Sequence, residues 1–338
     1  MTAHLSFPIQ PDRLNGAPAV ETGAAPLWSK APSVASVTTA YNPGETLARH
    51  INALLQQERP LEEIIIVDNA STDGTSSLLA AHYPQVTVIQ VPENLGTGGA
   101  LTAGLSYAAG EKKHDLIWMF DQDSVPAPAA LDRILQAAQG LSGDRSAVGI
   151  FASLPVDQNL EVSSTPWFWR NKFVKPPAEL FDQPIVYADL IITSGSMIRR
   201  DVVEAIGFPR SDFFIDFVDY EYCLRARSRG YKIAVITGAK LYHEIGKPQK
   251  ARFFLGRQHL WSEHRPFREY YYSRNLAYCV WWLYPNLPAK AFLLLHLLRR
   301  AVGLLLFGPE RLSSLKKMLQ GLYDGCRARL GIRFRPDD

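Results

Sequence analysis

From Ser33 onward the chain alternates short apolar, β-branched runs with amphipathic segments of helical length. "SVASVTTAY" leads into "ETLARHINALLQQ", "LEEIIIVDNA" into "TSSLLAAHY", "VTVIQVP" into "GTGGALTAGLSYAA", and "DLIWMF" into "PAALDRILQAAQGL", whose helix starts at a proline. Continuous apolar strands separated by helices are the pattern of βαβ units around a mostly parallel sheet, so four strand-helix repeats are expected in an α/β fold. Ligands of such sheets sit beyond the carboxyl ends of the strands. The polar residues fall there: Tyr41 and Asn42 after the first strand, Asp68 and Asn69 after the second, Glu93 and Asn94 after the third, Asp121 and Asp123 after the fourth. Beyond Ala147 come a strand, "AVGIFASLP", a Trp- and Pro-rich stretch, "STPWFWRNKFVKPP", one strand across "VYADLIITSGSMIRR" and a helix at "DVVEAIG". A loop then feeds an amphipathic helix in "FFIDFVDYEYCLRARSRG", and "YKIAVITGAKLYHEIG" closes the sheet. The expected division is an irregular tail over 1–32, an α/β domain over 33–258, and a helical, basic extension over 259–338 with long apolar stretches.

Composition narrows the function classes. With 338 residues and 47% hydrophobic content, the chain can bury a large core and is not a disordered chain. A net charge of +3 excludes a nucleic-acid polycation, so basic character is local. Three scattered cysteines without a C-x-x-C pair fit neither a disulfide framework nor a structural zinc site, which points to a reducing cytosol. The first twenty residues lack the basic and apolar regions of a signal peptide.

The stretch "LIWMFDQDSVP" poses the chemical question, because buried strands do not end in two carboxylates without a reason. Asp121 and Asp123, one residue apart, can face one divalent cation, and Mg²⁺ or Mn²⁺ keeps open positions for phosphate oxygens. The alternative is a pair of solvated loop acids capping the helix after Pro126. The buried strand and the other polar strand ends favour the cation.

"TTAYNP" at 38–43, "IIVDNASTDGT" at 65–75, "NLGTGGALTAG" at 94–104, "FDQDS" at 120–124, "TSGSMIRR" at 193–200 and "FIDFVDYEYCLRARSRGY" at 214–231 resemble family 2 glycosyltransferases, and among them the bacterial rhamnosyltransferase branch. The resemblance spans Ser33 to Asn275. It implies a GT-A fold, inversion at the anomeric carbon, a nucleotide diphosphate sugar as donor and a divalent cation. Asp68 resembles the acid that holds the base or ribose, with Thr39, Tyr41 and Asn42 lining the same pocket. Asn94 and Gly96 become donor-side residues, the glycines serving either phosphate contact at a helix N-terminus or close packing. Asp121 and Asp123 take the metal, Asp121 also meeting the donor, and His243 is a further metal ligand or a structural histidine. Asp219 falls at the position of the catalytic base, although Val218 replaces the Glu that usually precedes it. Asp216 and Glu221 either share that chemistry or merely suit a helix N-terminus. Ser194, Gly195 and Glu221 are placed on the acceptor side. Arg274, in "YYYSRN", touches the diphosphate or pairs with an acid. Asp73 reads best as a helix N-cap, and Trp167, Phe168 and Trp169 as packing aromatics rather than a sugar platform.

Arg299, Arg300 and His296 interrupt "AFLLLHLLRRAVGLLLF", which argues against a membrane span and for a helix lying in the interface, with Lys316, Lys317, Arg327 and Arg329 toward anionic lipid. The alternative is an extension packed on the domain or on a second copy. The expectation is a cytoplasmic inverting glycosyltransferase, peripheral on the inner face of the cytoplasmic membrane and without nucleic-acid partners. It would move L-rhamnose from dTDP-L-rhamnose to a glycan or glycolipid, such as a lipid-linked glycan, O-antigen or lipopolysaccharide core. Its rivals are the same fold with a UDP-hexose or UDP-galactofuranose donor, and a non-catalytic, membrane-associated nucleotide-sugar-binding protein. A nicotinamide oxidoreductase is disfavoured because the first strand ends in "AYNPGE", not G-x-G-x-x-G.

Overall fold

A computed structural model describes residues 28, 31–141, 147–157, 161–162, 166–169, 173–174, 178–243, 250–254, 257–261, 263–285 and 290–336. Nearly all of the expected tail, 1–32, lies outside them. The four repeats form as read: β1 (Val34–Ala40), α1 (Thr46–Leu55), β2 (Glu63–Asp68), α2 (Thr75–His82), β3 (Thr87–Gln90), α3 (Gly96–Leu105), β4 (Leu116–Asp121), then a short β5 (Val125–Pro126) and α4 (Ala130–Gly140). β1 pairs in parallel with both β2 and β4, and β2 with β3. Both sheet faces are covered, which is why these strands read as unbroken apolar runs. On one face Val37, Ile65 and Val67 pack with Leu101 and Leu105 of α3. On the other, Val34, Ile64, Ile66 and Trp118 pack with Ile51 of α1 and Ile134 of α4.

The second half adds β6 (Val148–Val156), two two-residue strands β7 (Phe168–Trp169) and β8 (Phe173–Val174), β9 (Ile185–Ala188), β10 (Ser196–Arg199), α5 (Arg200–Ile206), α6 (Val218–Ser228) and β11 (Lys232–Tyr242). The sheet order is β3-β2-β1-β4-β10-β6-β11-β5, with β9 also on β11. The single strand expected across "VYADLIITSGSMIRR" is two strands in different places. Gly195, at φ +78, turns the chain before β10, and Ser196 N–H donates back to Thr193 O at 2.9 Å. β10 runs antiparallel between β4 and β6, so the sheet is mixed rather than wholly parallel. β5 pairs antiparallel with the end of β11 (Leu241 opposite Pro126), which carries the residues after β4 beside His243.

A hairpin of β12 (Lys250–Phe254) and β13 (Arg257–Trp261) follows, with Gln258 inside its second strand, and then α7 (Pro266–Tyr278), α8 (Lys290–Phe307) and α9 (Arg311–Cys326). α7 and α9 meet backbone to backbone at two glycines. A Cβ on Gly321 would run into Tyr270 O, and one on Gly325 into Arg274 O, each well inside 3.0 Å. α8 is pinned to α7 by Arg300, which forks onto the fully buried carboxylate of Glu269. Among the described residues no helix is long and apolar enough to cross a membrane.

Gly321→Ala is expected to cost about 1–3 kcal/mol, because a rigid backbone oxygen cannot step aside. Gly140→Ala, where nothing lies within 4 Å, serves as the control. Thermal unfolding of the two variants checks this: equal midpoints would mean that the helices separate without loss.

Candidate functional site

The strand ends are tied to one another before any ligand arrives. Asn42 Oδ1 accepts from Thr72 N–H at 2.7 Å, Asn42 N–H donates to Ser71 Oγ at 3.0 Å, and Gly44 N–H donates to Asp73 Oδ2 at 3.1 Å. Asp68 is buried and accepts from Ser71 N–H at 3.0 Å and Ser76 Oγ at 2.7 Å. Tyr41 N–H donates to Gln122 Oε1 at 2.7 Å, and Thr39 lies opposite Asp121 in the sheet register. Thr39, Tyr41, Asn42, Asp68 and Asp121 are thereby brought together at one edge. Asp73 supplies the side-chain cap of α2 from one residue before the N-cap position, its Oδ1 accepting from Thr75 N–H at 3.2 Å. That position is Gly74, and Asp73 accepts from Thr75 Oγ1 at 2.5 Å while bridging to the first loop.

The glycine-rich segment resolves in favour of packing. Gly96 sits at φ +69, and a Cβ there would strike Phe214 O; a Cβ on Gly98 would strike Arg210 O. Gly98 N–H instead donates to Phe214 O at 3.0 Å. Asn94 is buried, its Oδ1 accepting from Asn69 Nδ2 at 3.0 Å and Gly96 N–H at 2.8 Å. Gly96 and Gly98 therefore pack against the loop before α6, the close-packing alternative, while Asn94 ties Gly96 to Asn69.

Beneath the D-x-D stretch runs a buried polar chain. Ser194 Oγ accepts from Asp121 N–H at 3.1 Å and shares a short bond with Ser124 Oγ, which also bonds His243 Nδ1 at 2.9 Å. Ser124 O bonds His50 Nδ1, and His50 Nε2 lies 2.7 Å from Thr38 Oγ1. Full burial drives the His50 pKa down to about 4, outweighing the Ser124 bond, so its ring is neutral. His243 Nδ1 also lies 3.5 Å from Asp123 Oδ1.

Above this floor, acids converge. Burial raises the Asp121 pKa, with His243 lowering it, Asp123 adding to it and Arg268 opposing it. Asp219, in the first turn of α6, has its pKa pushed up to about 7, chiefly by burial, with the Tyr220 N–H bond opposing and the charges of Asp121 and Asp216 assisting. Asp216 is gripped by Arg268 through Nη2–Oδ1 at 2.6 Å and Nε–Oδ2 at 3.2 Å. No cluster of three His, Cys, Asp or Glu side chains among the described residues is drawn together as a metal cage. The donor chemistry nevertheless fits Mg²⁺ or Mn²⁺: Asp121 and Asp123 offer oxygens, His243 an imidazole, and the Asp121 pKa stays raised despite His243 and Arg268.

Arg274 and Glu221 are placed elsewhere, and Ser194 and Gly195 lie beneath the D-x-D stretch. Arg274 is fully buried, its guanidinium donating to Asp212 O and Phe213 O at 2.9 Å each and to Gly331 O; it supports the loop before α6 and cannot reach a diphosphate. Glu221 is buried in an ion pair with Arg225 and accepts from Tyr284 O–H at 3.1 Å, so its carboxylate is engaged inside the protein. Ser194 and Gly195 are buried below Asp121, Gly195 O accepting from Trp118 Nε1 at 3.2 Å and Ser153 N–H at 2.9 Å. Ser194 also lines a small cavity together with Trp167 and Tyr220, the neighbour of Asp219. Trp167 packs half-buried against the core as expected, whereas the side chains of Phe168 and Trp169 lie outside the described residues. Arg268, Asn275, Ser124 and His50 went unread in the sequence. Ser124 and Asn275 left a signal, standing inside "FDQDS" and "YYYSRN", and Arg268 stands two residues before the latter.

Residues 36–207, just over half of the chain, match the model described as "Glycosyl transferase family 2". The chain belongs to that family. This glycosyltransferase is 37% identical over 177 residues to the succinoglycan biosynthesis protein ExoO of Rhizobium meliloti, covering 52% of this chain but only 46% of that protein's length. It is 26% identical to the dTDP-rhamnosyl transferase RfbF of Shigella flexneri, covering 72% of this chain and 78% of the other. Against solved structures it aligns with S. aureus TarS in complex with UDP-GlcNAc at TM-score 0.56 and 16% identity, over 88% of this chain and 81% of that one. With GalNAc-T7 bound to UDP, GalNAc and Mn²⁺ the TM-score is 0.52 at 14% identity, over 72% and 47%. The glycosyltransferase accordingly has the GT-A fold that its motifs implied.

His50 generates a prediction for stability. The unfolded histidine titrates near 6.5 and the folded one at about 4, so the unfolded chain takes the proton first. This contribution is complete above about pH 6.5 and is lost as pH falls toward 4, by up to about 3 kcal/mol. Denaturant unfolding across that window should show the slope, and His50→Gln should flatten it.

Proposed function

We propose that this glycosyltransferase transfers a sugar with inversion from a nucleoside diphosphate to an acceptor hydroxyl, with Asp219 as the base. The observation that carries the reading is Asp219 itself, a buried carboxylate with a pKa of about 7 that feels the charge of Asp121. A base poised near working pH accepts the hydroxyl proton most effectively. The acceptor oxygen attacks the anomeric carbon and its proton passes to the Asp219 carboxylate. The bond from that carbon to the diphosphate oxygen breaks, and its electron pair leaves with the diphosphate. Asp121, Asp123 and His243 would hold a divalent cation, which when bound supplies positive charge to the departing oxygens. Thr39, Tyr41, Asn42 and Asp68 hold the nucleoside. Arg268 replaces Arg274 as the cation nearest the diphosphate, because it alone of the two has an exposed edge beside Asp216.

The donor is dTDP-L-rhamnose, supported by the similarity to the Shigella flexneri dTDP-rhamnosyl transferase over most of both chains and by 34% identity over 110 residues to an N-acetylglucosaminyl-diphospho-decaprenol L-rhamnosyltransferase of Mycobacterium tuberculosis. The acceptor is a lipid-linked or surface glycan, and the protein works as a peripheral protein of the inner cytoplasmic membrane face. UDP-galactofuranose is the second donor, favoured by 21% identity over 82% of the length of the galactofuranosyltransferase GlfT1 of Mycolicibacterium smegmatis.

Asp219→Asn is expected to lower turnover by about 10²–10⁴-fold while leaving donor binding in place. The same substitution should raise stability above about pH 7, because the folded acid holds its proton more tightly than the unfolded one and ionising it costs free energy as pH rises from about 4. Full turnover in Asp219→Asn would sink the assignment. Binding of dTDP-rhamnose and UDP-galactofuranose by calorimetry, with and without Mn²⁺, separates the donors. Asp123→Ala should remove any metal dependence, and Arg268→Ala should raise the donor KM, whereas Arg274→Ala should act on stability.

A further inference from the structure

We propose that the outward faces of α8 and α9 form the surface by which this chain lies on an anionic lipid membrane. The inference deepens the peripheral-membrane part of the reading above and names the surface responsible.

Among the described residues, nine of the fourteen large hydrophobic side chains that stay exposed lie between Trp281 and Tyr323. They are ordered. Leu295, Leu298, Val302 and Leu305 follow helical spacing down one side of α8, with Leu298 61% exposed, while Leu297 and Leu304 are buried on the other side. On α9 the matching stripe is Leu312, Leu319 and Tyr323, with Leu312 80% exposed and Met318 buried behind it. Trp282, 56% exposed, donates from Nε1 to Cys326 O at 3.2 Å, which seats its ring at the end of α9. Arg327 and Arg329 lie over the Tyr323 ring at 5.5 Å each, so the same end carries exposed aromatics set among cations.

Charge selects the occupant. From Lys290 to Tyr323 the chain has six Lys or Arg and one acid, Glu310. Arg299 is exposed on α8, and Lys316 is exposed between Leu312 and Leu319 on α9. A narrow apolar stripe with interleaved cations suits the headgroup and acyl boundary of an anionic bilayer, where leucines enter and ammonium and guanidinium groups meet phosphate. A second copy meeting this face about a two-fold axis would set cations against cations. The surface is also joined to the chemistry: Arg300 ties α8 to Glu269, and the preceding residue, Arg268, grips Asp216. A chain docked this way holds the loop before Asp219 at a fixed height above the lipid.

The test is co-sedimentation of the full chain with vesicles of phosphatidylcholine alone and of phosphatidylcholine with phosphatidylglycerol. The chain is expected to pellet with the anionic vesicles and stay in solution with the neutral ones. Leu298→Glu with Val302→Glu, and separately Arg299→Glu with Lys316→Glu, should each weaken partition by at least about tenfold, the second pair mimicked by high salt. All four positions are exposed, and unchanged thermal unfolding with unchanged donor binding in solution shows that the variants are folded. Failure of the wild type to bind anionic vesicles, or variants that bind as well as it does, would overturn the proposal. So would a concentration-dependent dimer abolished by Leu298→Glu, which would assign the face to a second copy. Donor binding without vesicles is read separately: its failure counts against the transfer reading and leaves the docking surface standing.

Discussion

The site depends on a loop that cannot hold itself. Between Asp212 and Phe217 three non-glycine residues, Phe214, Asp216 and Phe217, sit at φ 64, 60 and 67, each costing on the order of 1–3 kcal/mol in isolation. What holds them is a pair of adjacent side chains on α7. Arg274 and Asn275 donate to the carbonyls of Asp212, Phe213, Ile215 and Asp216, and α3 approaches from the other side through glycines that leave room for Phe214. Only with the loop fixed does α6 begin where it does, with Asp219 turned toward the ends of the strands.

The electrostatics follow from that geometry. Asp121 and Asp219 are carboxylates whose burial raises proton affinity, and each charge makes the other harder to form. Such an arrangement is unstable on its own terms and useful on chemical ones: it attracts cations to one edge and leaves an acid able to accept a proton at neutral pH. The polar chain of Thr38, His50, Ser124, Ser194 and His243 beneath it satisfies the buried groups, so the acids are aimed by a rigid floor and not by solvent.

Much of this was legible in the sequence. Unbroken β-branched runs such as "EIIIVD" announce strands buried on both faces, and the polar residues that end them mark one edge of the sheet, because a parallel arrangement puts all carboxyl ends together. What could not be read is what depends on partners far along the chain. Arg274 looks like any arginine beside a polar motif until its partners, about sixty residues away, appear; Gly96 suits a phosphate loop and close packing alike until Phe214 is set against it. Glu221 falls in the same category, since nothing local says that Tyr284 and Arg225 will enclose it. The split of "VYADLIITSGSMIRR" into two strands was written in its glycine, but a run of apolar residues outweighed one small residue in the pattern.

The dependence of the loop on α7 bears on what counts as a unit of inheritance here. The match to the family model, residues 36–207, stops short of Asp219, of Arg268 and of the Arg274–Asn275 pair, whereas the likeness to the Shigella relative covers 72% of the chain and runs past residue 207. Shuffling a gene at the edges of the family match would pass on the strand ends with Asp68, Asp121 and Asp123 and leave Asp219, the proposed base, behind. The helical extension is thus better regarded as the second half of the enzyme than as an appendage, free to vary on its outer surface while its inner surface is held to the loop it supports.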